Sequence, residues 1–144
     1  MGYIRLGNKP PLAVAPEDTV THVARAMTAR KVGAAGVVEG GQVVGVVTER
    51  DILGKIVAER RNPDTTPVRE VMTSPPRCID LKTSVAEAAS MMREHHIRHL
   101  VVLDQDRRFV AIIALRYLLY DLMDDMHRTV ADLVGFIQAD SPGG

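Results

Sequence analysis

Two stretches of this chain carry the same apolar pattern: residues 19–27, which read TVTHVARAM, and residues 84–92, which read SVAEAASMM. In both, a hydroxyl residue precedes valine, and the next apolar residues follow at helical spacing. A pair of prolines precedes each stretch, at Pro10-Pro11 and Pro75-Pro76, and all these matches are 65 positions apart. A repeated pattern of this kind indicates one supersecondary unit that is used twice.

The repeat continues to the end of each unit. Ile52-Leu53 and Ile56-Val57 return as Leu118-Leu119 and Leu122-Met123, 66 positions later, so the second copy has one extra residue in a turn. Each copy is near the length at which a lone hydrophobic core is marginal, and we therefore expect the copies to bury against each other. Such a pair has clefts between its halves, and a functional site is expected there.

The composition predicts a globular protein with an aliphatic core. Apolar residues make up 46% of the chain, aromatic residues 3%, and there is no Trp. The net charge is zero and no basic stripe carries interleaved aromatic residues, which argues against nucleic-acid binding. Cys78 is the single cysteine, so a reducing compartment is expected. With no apolar signal segment and no apolar run of about 20 residues, we expect a cytoplasmic protein without a membrane span.

Each copy is predicted to fold in the order strand, helix, strand, strand, helix. In the first copy the predicted strands are 12–14, 32–38 and 43–47, with helices beginning at Thr19 and Thr48. In the second copy they are 77–79, 99–103 and 109–114, with helices over 84–95 and from Leu115. Ser84 and Glu87 form a capping-box pattern. Residues 60–67 are polar and punctuated by prolines, which predicts a linker.

Apolar residues continue beyond the second copy at heptad spacing. This seam consists of Leu119, Met123, Met126, Val130, Leu133 and Ile137, and it is typical of a coiled-coil helix. One prediction is a single helix to about Ala139. The alternative is a break at Thr129, because Thr129–Asp132 resembles a capping box. The tail, residues 141–144, is predicted to be disordered.

The junction between the third strand and the last helix of the first copy reads Gly45-Val46-Val47-Thr48-Glu49-Arg50-Asp51. Met72-Thr73-Ser74-Pro75 opens the second copy, and Ile97-Arg98-His99-Leu100-Val101-Val102 leads into its middle strand. With the duplication, these motifs make the chain resemble a tandem pair of CBS motifs (a Bateman module). The resemblance implies an α+β fold of two α/β-type units with pseudo-two-fold symmetry: CBS motif 1 over 10–60, CBS motif 2 over 72–126, and a C-terminal helical extension over 127–140.

The resemblance also implies a function. Such modules bind AMP, ADP, ATP or S-adenosylmethionine between their motifs and act as sensors for another protein; no catalytic residue, resident cofactor or metal is expected. A carboxylate can accept hydrogen bonds from both ribose hydroxyls, which assigns that role to Asp51. The Thr48 hydroxyl can bind ribose or phosphate at the helix start, and Gly45 lets the backbone approach closely. The alternative for Thr48 and Asp51 is a helix-capping box.

The second copy departs from this pattern. Ala111, Ala114 and Tyr117 stand where the first copy has Gly45, Thr48 and Asp51. The second site is therefore expected not to bind nucleotide in the manner of the family, and Tyr117 is expected to fill its cleft.

By position in related pairs, three basic residues of the second copy, Arg98, His99 and Arg116, are expected to face the phosphates of a nucleotide held by Asp51. The alternative for Arg98 and His99 is that they are ordinary solvated residues. An adenine pocket is assigned to Leu12, Ala13, Ala34 and Ala35, with plain core packing as the alternative. The histidines at 95, 96 and 99 and the acidic group at 121–125 lack the spacing of a metal site, so metal binding is not expected.

Two functions remain. The first is a sensor module that binds one adenine nucleotide per chain. The second is a scaffold without ligand that dimerises through its helices and docks on a partner enzyme or transporter. An enzyme is not expected, because no nucleophile or general base has motif support. In either case we predict a homodimer, to which the seam from Leu119 to Ile137 contributes.

Overall fold

Two three-stranded sheets, one from each sequence copy, form the framework of the computed structural model, which describes residues 3–6 and 9–140. The first sheet contains β1 (Ala13–Val14), β2 (Ala34–Glu39) and β3 (Gln42–Thr48), and the second β4 (Cys78–Asp80), β5 (His99–Leu103) and β6 (Phe109–Ala114). In each sheet the first strand is parallel to the middle strand and the third is antiparallel to it. The α+β fold of two like units is therefore confirmed.

The first helix of each unit begins and ends in the same way. Helix α1 (Val20–Arg30) is capped by Thr19, and α3 (Val85–His95) is capped by Ser84 in a capping box with Glu87. Each helix ends at a residue with left-handed backbone, Lys31 at φ 55° and His96 at φ 54°. The prediction of the Ser84 capping box is confirmed.

The second helix of motif 1 differs from its prediction. Helix α2 (Glu49–Ile52) passes directly into one π-helical turn (Leu53–Val57). Ile56 is buried and Ile52 packs against the first core, but Leu53 and Val57 are each 63% exposed. The sequence predicts that Ile52, Leu53, Ile56 and Val57 form one apolar face of this helix. That prediction is wrong, because only Ile52 and Ile56 meet the core.

The predicted linker packs against motif 1. The carbonyls of Pro63 and Thr66 accept hydrogen bonds from the backbone N–H groups of Thr21 and Val20, and Thr66 is buried. A short 3₁₀ helix (Val68–Glu70), which the sequence did not predict, follows it. The connection between the motifs is thus fixed to the start of α1.

Three apolar clusters hold the molecule together. One lies within each motif, where sheet and helices meet. The third joins the two sheets through buried Ala34, Val46 and Val101, with Phe109 and Ile112 packed against them. This shared cluster confirms that the two copies bury against each other.

Helix α4 (Leu115–Asp140) is continuous for 26 residues, about 39 Å. Leu118 is buried and Leu122 packs against the second core, whereas every side chain from Met126 to Val134 is exposed. The single-helix alternative is therefore correct, and the break at Thr129 is not. None of the described helices has the length and apolar character needed to cross a bilayer. The predicted tail lies outside the described residues.

Candidate functional site

Asp51 lies in the first turn of α2, directly after β3. Its Oδ2 accepts hydrogen bonds from the Thr48 backbone N–H at 3.0 Å and from Thr48 Oγ1 at 3.1 Å. Thr48 Oγ1 in turn accepts from the Asp51 N–H at 3.2 Å. The capping box that the sequence left as an alternative is therefore present. It orients the carboxylate, and it does not decide whether a ligand also uses it.

The second carboxylate oxygen of Asp51 faces the segment that opens motif 2. Asp51 Oδ1 accepts a hydrogen bond from Thr73 Oγ1 at 3.3 Å and lies 3.4 Å from Lys55 Nζ. Lys55 Nζ also donates to the Val71 carbonyl at 2.8 Å. The Asp51 side chain is only 12% exposed. A ligand hydroxyl that reaches Asp51 Oδ1 would take the place of the Thr73 hydroxyl.

The segment 72–73 of the protein itself packs closely against Gly45. A Cβ at this position would lie 2.5 Å from Met72 Sδ and 3.0 Å from the Thr73 carbonyl oxygen. The next residue, Val46, exchanges both backbone hydrogen bonds with Thr73, at 3.0 and 2.8 Å. The glycine predicted for close ligand approach therefore makes room for the segment 72–73.

His99 lies where the two motifs meet. A Cβ on Gly33 would lie 3.4 Å from His99 Nε2 and 3.5 Å from the Glu49 carboxylate, so both side chains contact the start of β2. The Glu49 N–H donates to the Gly33 carbonyl at 3.1 Å. Its counterpart in motif 2, the Leu115 N–H, donates to the Arg98 carbonyl at 2.8 Å. In both motifs, an equivalent bond thus joins the start of the last helix to the residue that precedes the middle strand.

Burial lowers the pKa of His99, and the charges of Glu49 and Asp51 partly offset this effect. Arg116 and Arg98 lower the pKa further. The imidazole is therefore held in its neutral form by burial, between acidic groups of motif 1 and basic groups of motif 2.

One large cleft, of about 1990 Å³, opens between the motifs. Five predicted site residues line it: Leu12, Ala34, Arg98, His99 and Arg116. The other five, Gly45, Thr48, Asp51, Ala13 and Ala35, are not in its lining. The predicted composite site is thus divided into a large cleft and an Asp51 position.

Two predicted side chains have a different role from the expected one. Ala35 is fully buried in the core of motif 1, which supports the packing alternative for this residue. Tyr117 lines the large cleft but is 58% exposed, with the Arg116 guanidinium carbon 5.4 Å from its ring centroid. The expectation that Tyr117 fills this cleft is wrong, because the ring packs with Arg116 at the rim.

The duplication relates part of the lining of the large cleft to residues of motif 2. The cleft-lining residues Leu12, Lys31 and Gly33 correspond to Arg77, His96 and Arg98 in motif 2. Of these counterparts, Arg98 lines the large cleft itself, next to His99. The sequence did not point to Thr73, whose hydroxyl donates a hydrogen bond to Asp51 Oδ1.

In the part of the chain that the structure describes, little supports a metal site or a reactive thiol. No group of three or more His, Cys, Asp or Glu side chains there could hold a metal ion. Cys78 is half-buried, and burial raises the pKa of its thiol. That shift disfavours the reactive thiolate.

The fold and the site thus define a pseudo-symmetric pair of α/β motifs with an open cleft between them. The family model for the CBS domain matches residues 5–58 and 68–124. The chain belongs to the CBS domain family. The matched family model and the relatives described below are named for CBS domains or for signal transduction, and these names indicate no enzyme.

The chain spans very different shares of the length of the relatives that it matches. YhcV of Bacillus subtilis, a CBS domain-containing protein, is 37% identical over 102 residues, 71% of each chain. By contrast, the chain spans only 19% of the length of CBSCBSPB3 of Arabidopsis thaliana, to which it is 32% identical over 74% of its own residues. It spans 54% of MK0525 of Methanopyrus kandleri.

Two solved structures share the architecture. A CBS-domain protein from Burkholderia ambifaria superposes with a TM-score of 0.76 at 32% identity, over 83% of this chain and 86% of that one. The CBS domain protein PAE2072 from Pyrobaculum aerophilum, solved in complex with AMP, superposes with a TM-score of 0.71 at 30% identity. That match covers 81% of this chain and 94% of PAE2072.

Proposed function

We propose that this protein is a regulatory module that binds an adenosine-containing ligand, AMP, ADP, ATP or S-adenosylmethionine, at the Asp51 position and signals its presence to a partner enzyme or transporter. The observation that carries this proposal is the Asp51 carboxylate, held by Thr48 and turned toward Thr73 of motif 2. The AMP complex of the related PAE2072 supports an adenine nucleotide as the ligand.

The chemistry fits a ribose at this position. Two neighbouring hydroxyls can donate to one carboxylate, and hydrogen bonds to a charged acceptor are the stronger kind. The phosphates of the same ligand would meet Arg98 and His99, at the start of β5. Because Asp51 Oδ1 already accepts from Thr73, the ligand would exchange an internal bond between the motifs for a bond of its own.

Thermal unfolding with and without each of the four ligands tests this proposal. A ligand at one hundred times its Kd should stabilise the native state by about 2.7 kcal/mol. The sharper comparison is AMP against 2′-deoxy-AMP, because only AMP offers both hydroxyls to Asp51. We expect at least about tenfold weaker binding of the deoxy compound, the equivalent of about one charge-assisted hydrogen bond. Equal binding of both, or no binding of any ligand, would refute the assignment.

We further propose that the module works as a homodimer. Leu53 and Val57 of motif 1 are exposed, and their counterparts Leu119 and Met123 of motif 2 are also exposed. The same apolar face is thus repeated on both motifs, as a surface for a second copy requires. The exposed seam residues Met126, Val130 and Leu133 of α4 continue this face beyond the module; Ile137 lies outside the residues whose side chains the structure describes.

A further inference from the structure

The large cleft between the motifs is strongly basic, in a chain whose net charge is zero. Six cationic side chains line it: Arg5, Lys9, Arg30, Lys31, Arg98 and Arg116. Only two acidic residues, Glu49 and Asp121, do so. We call this cleft, with these six residues, the basic cleft. Charge of one sign on the walls of a cleft concentrates ions of the opposite sign there.

The cations reach the basic cleft from four separate parts of the chain. Arg5 and Lys9 come from the N-terminal segment, and Arg30 and Lys31 from the end of α1. Arg98 precedes β5, and Arg116 lies in the first turn of α4. The fold, and not a basic run in the sequence, therefore assembles this charge. Arg30 also donates a hydrogen bond to the Pro10 carbonyl, which ties the N-terminal segment to α1.

None of the six cations is neutralised by an ion pair within residues 3–6 and 9–140. The ion pairs there join Lys55 to Asp51, Arg61 to Glu70 and Arg69 to Glu17. All three lie on motif 1 or the connection that follows it. The charge of the basic cleft is therefore available to an anion from solution.

The basic cleft lacks counterparts of Thr48 and Asp51, the two residues to which ribose binding is assigned in motif 1. Ala114 and Tyr117 occupy the positions of Thr48 and Asp51, so neither the hydroxyl nor the carboxylate is present. The adjacent acidic residue, Glu49, lies at the junction of the motifs beside His99. The two carboxylates that line the cleft, those of Glu49 and Asp121, are outnumbered by six cations, so the lining favours a ligand with several negative charges.

We propose that the basic cleft binds an oligophosphate anion through its arginine and lysine side chains, without recognising a ribose. A chain of several phosphates suits cations that are spread along a cleft of about 1990 Å³, whereas a single phosphate would reach only some of them. Arg presents several N–H donors in a planar fork that matches phosphate oxygens. This site lacks the Asp51 carboxylate and, of its six cations, shares only Arg98 with the phosphate position proposed above. Because its other five cations are not used there, the proposal does not depend on nucleotide binding at Asp51.

Calorimetric titration with inorganic tripolyphosphate tests the proposal. The protein should bind tripolyphosphate more tightly than orthophosphate, and raising the salt concentration should weaken binding. Asp51→Asn protein should bind it with unchanged affinity, while Lys31→Gln/Arg116→Gln protein should bind at least about tenfold more weakly. The matched control is Lys82→Gln/Arg108→Gln, which removes the same charge from exposed positions of motif 2 outside the cleft.

The outcomes separate the two proposals. Absence of tripolyphosphate binding, or equal weakening in the cleft and control variants, would overturn the oligophosphate site and leave the Asp51 assignment intact. Titration of Asp51→Asn protein with ATP then distinguishes a nucleotide from a free oligophosphate as the ligand of the basic cleft. Tighter binding of ATP than of tripolyphosphate would identify a nucleotide whose base packs on Tyr117, and the reverse order would identify a free oligophosphate.

Discussion

The carboxylate of Asp51 and the hydroxyl of Thr73 lie 3.3 Å apart, and this hydrogen bond joins α2 of motif 1 to the segment that opens motif 2. Beside it, Val46 and Thr73 exchange backbone hydrogen bonds, and Lys55 reaches the Val71 carbonyl. The proposed ribose site is therefore built on the connection between the motifs. A ligand that replaces the Thr73 hydroxyl acts on that connection directly, which gives the module a way to report occupancy.

Substitution of Asp51 should weaken nucleotide binding at that position at a small cost in stability. Asp51→Asn protein loses the charge that two ribose hydroxyls would use, so we expect AMP affinity to fall at least about tenfold. The lost capping carboxylate should lower the free energy of unfolding by about 1 kcal/mol. Calorimetry and denaturant unfolding measure the two effects separately.

Motif 2 supplies the matched control for this variant. Glu87 caps α3 in a capping box with Ser84, in the same way that Asp51 caps α2 with Thr48. Glu87→Gln should have a similar cost in stability and no effect on AMP. If both variants weakened AMP binding equally, Asp51 would act only through the stability of its helix.

Alanine at Gly45 should destabilise the protein. The added Cβ would lie 2.5 Å from Met72 Sδ, so the segment 72–73 must move away from β3. Overpacking of this kind costs about 1–3 kcal/mol. Gly54→Ala is the control, because no heavy atom lies within 4 Å of a Cβ there. In that helical turn alanine should stabilise by about 0.5–1 kcal/mol. Denaturant unfolding that ranks the two variants in the opposite order would contradict this account.

Much of the fold could be predicted because it depends on local patterns. The bounds of β5 and β6 agree with the prediction, and α3 begins one residue later than expected. The start of α4 at Leu115 also agrees, since the apolar period changes there from strand to helix. The exposure of Leu53 and Val57 could not be read from the sequence, because it depends on which helix face meets the sheet.

The site was harder to predict because its residues come from different motifs. Asp51 was found from a local motif, but its partner Thr73 is 22 positions away and approaches through the packing of the two units. Arg116 was expected beside Asp51 and instead lines the basic cleft with Tyr117. Offsets along the chain identify equivalent residues, but they do not show which of two clefts a residue lines.

The stability of the protein should fall in mildly acidic solution because of His99. Burial lowers the pKa of this imidazole below 6.5, against the opposing effect of Glu49. The unfolded chain therefore binds more protons than the folded one near that pH, so the free energy of unfolding decreases as the pH falls through about 6.5.

Denaturant unfolding between about pH 5.5 and 7.5 measures this dependence around the ordinary histidine pKa. His99→Gln should flatten the decrease, while His127→Gln, at an exposed position of α4, should leave it unchanged. Parallel curves for all three proteins would assign the pH dependence to other groups.

The seam of α4 should contribute to dimerisation. Met123, Met126, Val130 and Leu133 are 57–67% exposed and recur at heptad spacing, although a helix that projects alone in water has little stability of its own. A second copy packed on the seam would bury these side chains. Val130→Asp/Leu133→Asp protein should therefore shift toward monomer in light scattering, or dissociate at higher protein concentration than the parent.

The control for the seam variant introduces two aspartates on another face of the same helix. Arg128 and Ala131 are exposed and lie outside the heptad positions, so Arg128→Asp/Ala131→Asp should leave the dimer intact. Both variants alter only exposed positions beyond the packed part of α4, and their motifs should keep the parent's thermal midpoint. A dimer that survives both pairs of substitutions unchanged would rest on the exposed faces of the motifs, at Leu53 and Val57 and at Leu119 and Met123, and the part of α4 beyond Met123 would not contribute to it.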